Sequence, residues 1–210
     1  MDSNWASENL QVIRTLMERS SLYRRALAPV MTFAGVIGTV ASLAGIWQQV
    51  ESAQAFVRFW VGACLVAIAG VLILIRRQAL KDVEPFWSPP TRRVAQAMTP
   101  PLFIGLFVAA PFLALKLDAP IPVWWLIPVW MALYGCALCA AGSFMPRGIK
   151  LFGWSFVIAG GALFIYWAAR MNVPPSAREA HLVMGTAFGL IHLLYGGYLY
   201  VTEPKRKNAV

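Results

Sequence analysis

The sequence predicts an all-α polytopic membrane protein, a bundle of six transmembrane helices with an N-terminal amphipathic helix. Three observations carry this. Hydrophobic side chains make up 59% of the 210 residues and charged ones 13%, against about 25% charged in an ordinary soluble domain. The apolar residues gather in six runs of about 17–25 residues, the length range of membrane-spanning helices, the third being the shortest. The charges fall in the gaps between runs. The net charge of +9 therefore reads as a topology signal and not as a nucleic-acid surface. The partner that this composition implies is the lipid bilayer.

Residues 1–25 form a polar N-terminal arm, cytoplasmic and amphipathic. In it Leu10, Ile13 and Met17 fall on one helical face and Glu8, Arg14 and Glu18 on others, the pattern of a helix lying on a membrane surface. The six-helix transmembrane domain is 26–201. Its first span, 26–47, has Pro29 in the first turn, where a missing N–H is harmless. Gly38, Ser42 and Gly45 offer close helix contact. This run starts too far along the chain, and is too long, for a cleavable signal peptide. The second span is 56–75.

The gap that follows, 76–98, is rich in arginine, proline and aromatic residues. Phe86 and Trp87 suit the headgroup region, and Thr91 suits the cap of a short amphipathic helix over 92–98. Thr99-Pro100-Pro101 opens the third span, 101–117, which Pro111 interrupts. The fourth span, 122–144, holds Pro128, so two neighbouring spans carry prolines able to bend them. The fifth, 149–169, has Gly160-Gly161 at its middle. Ser176-x-x-Glu179 is a capping box and starts the sixth span, which ends near Val201. A basic cytoplasmic tail, 202–210, closes the chain. Ile68-Ala69-Gly70 and Ile158-Ala159-Gly160 form a faint echo in oppositely directed spans, and inverted repeats of three spans are a transporter arrangement.

The candidate site lies in 181–200, HLVMGTAFGLIHLLYGGYLY, which holds both histidines of the chain. His181, Gly185, Gly189, His192 and Gly196 share one helical face by spacing. His192 lies about 14 Å from one end of its span and about 22 Å from the other. Ionisable groups at that depth are functional candidates by default. The structural alternative is a neutral imidazole bonded to a neighbouring hydroxyl or carbonyl. Tyr195, one turn on, belongs to the same region. His181, close to the capping box, reads as interfacial and outside the chemistry. Gly185, Gly189 and Gly196 read most simply as a packing groove.

No catalytic residue and no metal-ligand set emerges. There is no Walker loop, no His-Glu-x-x-His and no nucleophile elbow. Cys136-x-x-Cys139 has redox spacing but no second thiol pair, and reads as small apolar packing. Haem is the cofactor the pattern allows, with His192 as axial ligand and the glycines making room for the ring. The two histidines, about 16 Å apart along one helix, cannot clasp one iron, so a haem would need a methionine ligand, a single axial ligand or a second subunit, and the expectation is no cofactor.

Several stretches carry a resemblance: Glu8-Asn9-Leu10-Gln11-Val12-Ile13-Arg14 through Arg19 and Tyr23-Arg24; Glu84-Pro85-Phe86-Trp87-Ser88-Pro89; and Gly185 through Gly189 and His192 to Tyr195. With these the chain resembles an uncharacterised family of bacterial six-span inner-membrane proteins. The resemblance covers most of the chain and implies a bacterial inner membrane and six helices. It implies no activity and no catalytic residue.

Two function classes stay open. One is a non-enzymatic integral inner-membrane protein, either a small-molecule transporter or permeation unit or a sensor or accessory subunit, working as a homo-oligomer or with a partner membrane protein. The other is a membrane redox protein that binds haem or another cofactor through His192. Orientation follows from charge. With the N-terminus inside, 14 of the 18 Lys and Arg face the cytoplasm, while Arg58, Lys116, Arg170 and Arg178 face out. Both termini are therefore expected in the cytoplasm. A Ser52→Cys variant should then react with a membrane-impermeant maleimide in intact cells. Labelling only after permeabilisation would reverse the topology.

Overall fold

The computed structural model describes residues 27–81, 85–114, 123–145, 147–170, 173 and 175–202. The amphipathic arm expected over 1–25, and the tail beyond 202, lie outside these residues. Among the described residues six helices are long and apolar enough to cross a membrane, and no strand occurs. They are α1 Leu27–Trp47, α2 Ala53–Lys81, α3 Pro89–Ala114, α4 Leu126–Ala141, α5 Arg147–Ala168 and α6 Ala177–Thr202. A 3-10 turn, Val123–Trp125, leads into α4. The chain is an all-α bundle of six spans.

The capping box is formed as its sequence requires. Glu179 N–H donates to Ser176 Oγ at 3.2 Å, and Ser176 N–H donates to the Glu179 carboxylate at 2.8 Å. Two helix-start donors are thus satisfied reciprocally, and α6 begins at Ala177. At the other end of the α1–α2 connection, Gln49 closes α1 in the left-handed region, with φ of 51°. Its N–H donates to the Ile46 carbonyl and that of Val50 to the Gly45 carbonyl. This is a Schellman turn with glutamine where glycine is usual.

Two expectations about proline are corrected. The separate helix over 92–98 and the new start of a span at Thr99-Pro100-Pro101 do not form, because α3 runs unbroken through Pro100, Pro101 and Pro111. Thr99 Oγ donates back to the Ala95 carbonyl at 2.7 Å instead of capping. In hydrocarbon a broken backbone would strand more polar groups than the three missing N–H groups do. Pro128 is the third residue of α4, in the first turn, where its missing N–H is an orphan anyway. It therefore does not interrupt that span.

Helix α6 touches four of the other five spans. It meets α1 through glycines, α2 through a Trp60–His181 bond, α4 through a Tyr134–His192 bond and α5 through Phe152 and Phe156. Helix α3 packs outside, against α4 and α2, with the Trp130 indole N–H donating to the Gly105 carbonyl at 3.0 Å. The core between them is Phe56, Trp60, Met131, Leu138, Phe152, Phe156 and Met184.

Two seams bring backbones together. On α1 and α6, a methyl added to Gly189 would lie 2.7 Å from the Thr39 nitrogen, and one on Gly196 would lie 2.9 Å from the Thr32 nitrogen. A methyl on Gly35 would lie 2.7 Å from the Leu193 nitrogen, and Gly38 backs onto Phe188. Thr32 and Thr39 donate their hydroxyl protons to their own helix, to the Ala28 and Gly35 carbonyls, so they ask nothing further of α6. On α4 and α5, Gly135 and Gly153 face each other, while Gly160 sits against the Pro128 carbonyl. Where apolar burial gives little drive between helices, such close approach supplies the van der Waals contact instead.

Gly196→Ala should destabilise the protein by about 1–3 kcal/mol, since backbone must move to admit the methyl. Gly197, with nothing within 4 Å, is the control. Gly197→Ala should be neutral or stabilising by roughly 0.5 kcal/mol. Denaturant titration in micelles measures both, and equal effects would show that the seam is not close-packed.

Candidate functional site

The deep histidine is fully engaged. Tyr134 Oη and His192 Nε2 are 2.8 Å apart, and His192 Nδ1 lies 3.1 Å from the Ala187 carbonyl oxygen. A carbonyl can only accept, so Nδ1 carries the proton and donates it. Nε2 is then the acceptor, and the Tyr134 hydroxyl donates to it. The imidazole is neutral, with both nitrogens satisfied. Around it stand Tyr134, Phe152, Phe156 and Phe188, with ring centroids 5.2–6.2 Å away. Only 2% of the residue is exposed.

The Ala187 carbonyl is available because α6 is not α-helical at this depth. Gly185–Leu190 is a π-helical turn, in which the Ile191 N–H reaches back five residues to the Thr186 carbonyl. Helix geometry of the ordinary kind resumes at Ile191, and the Ala187 carbonyl falls at the changeover. The side chain of His192 takes the place there of a backbone donor. Such π turns occur mostly as single insertions and often at functional sites.

His181 makes a second, equally closed arrangement nearer the start of α6. The Trp60 indole N–H donates to His181 Nδ1 at 3.1 Å. Indole nitrogen is a donor only, so Nδ1 is unprotonated. Nε2–H therefore donates to the Val50 carbonyl, 3.1 Å away, in the turn closed by Gln49. Ser42 Oγ donates to the His181 backbone carbonyl at 2.7 Å. Phe56, Phe59 and Trp60 surround the ring, and the residue is 1% exposed. Beside it is a hollow of about 250 Å³ that Gln49, Glu51 and Arg178 help to line. Reading from the sequence places His181 at the interface and outside the chemistry. The structure makes it as buried and as fully bonded as His192, and the partners that decide this, Trp60 and Val50, are on α2 and its approach.

The five-residue stripe is divided among four neighbours, with His181 bonded to α2. Gly185, Gly189 and Gly196 lie against Ser42, Thr39 and Thr32 of α1. His192 faces α4 and α5, and Tyr195 faces α5, its ring stacked on Phe152 with centroids 4.3 Å apart. The glycines therefore do not open a space beside the imidazole. An axial bond to haem iron would need His192 Nε2, which Tyr134 occupies, and a porphyrin face would need the glycine groove, which α1 fills. The residues present do not fit that group. Cys136 is exposed, and Cys139 lies over Gly153 with its thiol 3.7 Å from the Lys150 carbonyl oxygen; both are free thiols. Among the described residues no group of three His, Cys, Asp or Glu could hold a metal ion.

Compared with family models, curated proteins and solved structures, the chain matches none.

Tyr134→Phe should leave His192 Nε2 without a donor and cost about 1–3 kcal/mol. His192→Phe should leave the Tyr134 hydroxyl and the Ala187 carbonyl without their imidazole partner. The double variant should cost less than the two singles added, with a coupling of roughly 0.6–1.7 kcal/mol for a hydrogen bond within a membrane. Strict additivity in the cycle would show that the bond contributes nothing.

Proposed function

We propose that the chain is a non-enzymatic integral protein of a bacterial inner membrane, both termini cytoplasmic, that serves as a sensor or accessory subunit. The observation that carries this reading is the closed middle of the bundle. A carrier or a redox centre acts through groups that reach a solute, an ion or an electron donor. Here the deepest imidazole has both nitrogens bonded inside the protein and aromatic rings on its sides. A subunit of the proposed kind acts instead through its shape and its membrane-facing surfaces. Those of α2 and α3 are broad and apolar, with Leu65, Ile73, Phe103 and Phe107 exposed, to be covered by lipid, a second copy or a partner membrane protein.

A small transporter or permeation unit is the second reading. The π turn in mid-span and the glycine seam beside it favour this one, because they give α6 a place to change register against α1. The redox reading has the least support, since His192 Nε2 is already bonded.

Purified protein should show no Soret band, and His192→Phe, destabilised but still inserted in the membrane, should leave its visible spectrum unchanged. In liposomes loaded with a pH-sensitive dye, the protein should not speed the decay of an imposed proton gradient. A Soret band lost in His192→Ala would overturn the proposal in favour of a redox protein. Dye-detected proton flux abolished by His192→Phe would overturn it in favour of a carrier.

A further inference from the structure

We infer that the end of the bundle where α2 finishes and α3 begins holds a binding site for the phosphate diester of an anionic lipid headgroup. A hollow of about 340 Å³ opens there, lined by Trp87, Pro89, Arg92, Arg93 and Gln96. Both guanidiniums are exposed, and among the described residues neither forms an ion pair or a cation–π contact. Asp82 and Glu84 lie in the connection outside the described residues. Guanidinium is the side chain best shaped for phosphate, offering paired N–H donors in a plane. Gln96 adds an amide donor, and the exposed Trp87 supplies the amphipathic ring that settles at headgroup level.

The depth is right for a lipid. Arg76 and Arg77 end the apolar run of α2, and Lys81 ends the helix. All three side chains are exposed. Because α2 and α3 are consecutive spans, these three cations stand at the same end of the bundle as Arg92 and Arg93. Two arginines at the hollow, with three more cations at the same end of the bundle, match the negative potential of an anionic leaflet, which draws basic clusters to the edge of the hydrocarbon. The occupant is the lipid and not free phosphate, because the hollow opens beside the apolar surface of α3, where Phe103 and Phe107 are exposed to acyl chains.

The test is a titration of phosphatidylglycerol into the full-length protein in neutral detergent, followed by native mass spectrometry, with phosphatidylcholine and inorganic phosphate as separate arms. Phosphatidylglycerol should bind and phosphatidylcholine should not. Arg92→Gln with Arg93→Gln should weaken binding about fivefold per arginine removed, from the roughly 1 kcal/mol that each basic residue contributes near an anionic surface. Arg170→Gln, at the opposite end of the bundle, should leave it unchanged. Melting temperature in phosphatidylcholine nanodiscs, expected to match the parent, separates lost binding from lost folding. Equal binding of both lipids, an unaffected arginine double variant, or millimolar inorganic phosphate displacing the lipid completely would overturn the assignment.

Discussion

A phenol, an imidazole and a backbone carbonyl in line hold this bundle together at mid-depth. Tyr134 on α4 donates to His192, and His192 donates to Ala187 at the changeover out of the π turn. Hydrocarbon offers no water to a polar atom, so each must find its partner in the protein. Two donors and two acceptors are satisfied here with no charge formed. The rest of α6 follows from this. The π turn is tolerated because the His192 side chain meets the carbonyl left at its end. The glycines within and after that turn lie against α1, while His192 meets α4 and α5 and Tyr195 meets α5.

The same logic recurs at His181 with different parts. An indole N–H fixes one ring nitrogen as acceptor, and a turn carbonyl takes the proton of the other. That carbonyl is held in place by Gln49 in a left-handed conformation costing on the order of 1 kcal/mol. The two histidines thus tie α6 to α4 at one level and to α2 and its approach at the other, while the glycine seam ties it to α1. A single helix with three kinds of contact explains why the outer helices can leave their lipid-facing sides broad and featureless.

Closure of the core bears directly on function. Satisfied neutral imidazoles specify a packing arrangement, and a half-satisfied network would have been a sign of chemistry. The accessory or sensor reading rests on that contrast. The distribution of cations is a separate matter, decided at the membrane edge and not in the core.

Much of the fold was legible in the sequence, for a physical reason. Apolar runs longer than the bilayer is thick have to be spanning helices, so six spans, their approximate limits and the Ser176–Glu179 cap could all be read from local pattern. Small residues at Gly38, Ser42 and Gly45 also announced a close contact. Periodicity, however, assumes a constant number of residues per turn, and the π turn at Gly185–Leu190 breaks that assumption. Nor does a shared stripe name its neighbours: its glycines met α1, His181 met α2, and His192 met α4 and α5. Nor does a proline state its own consequence: Pro100 and Pro101 were absorbed by α3, and Pro128 fell in a first turn. The sequence alone determined that His181 and His192 would lie in or near hydrocarbon and would need partners. Only the tertiary structure decided which partners, because Trp60, Val50 and Tyr134 lie 58 to 131 residues away in the chain, and no local signal encodes a bond across that separation.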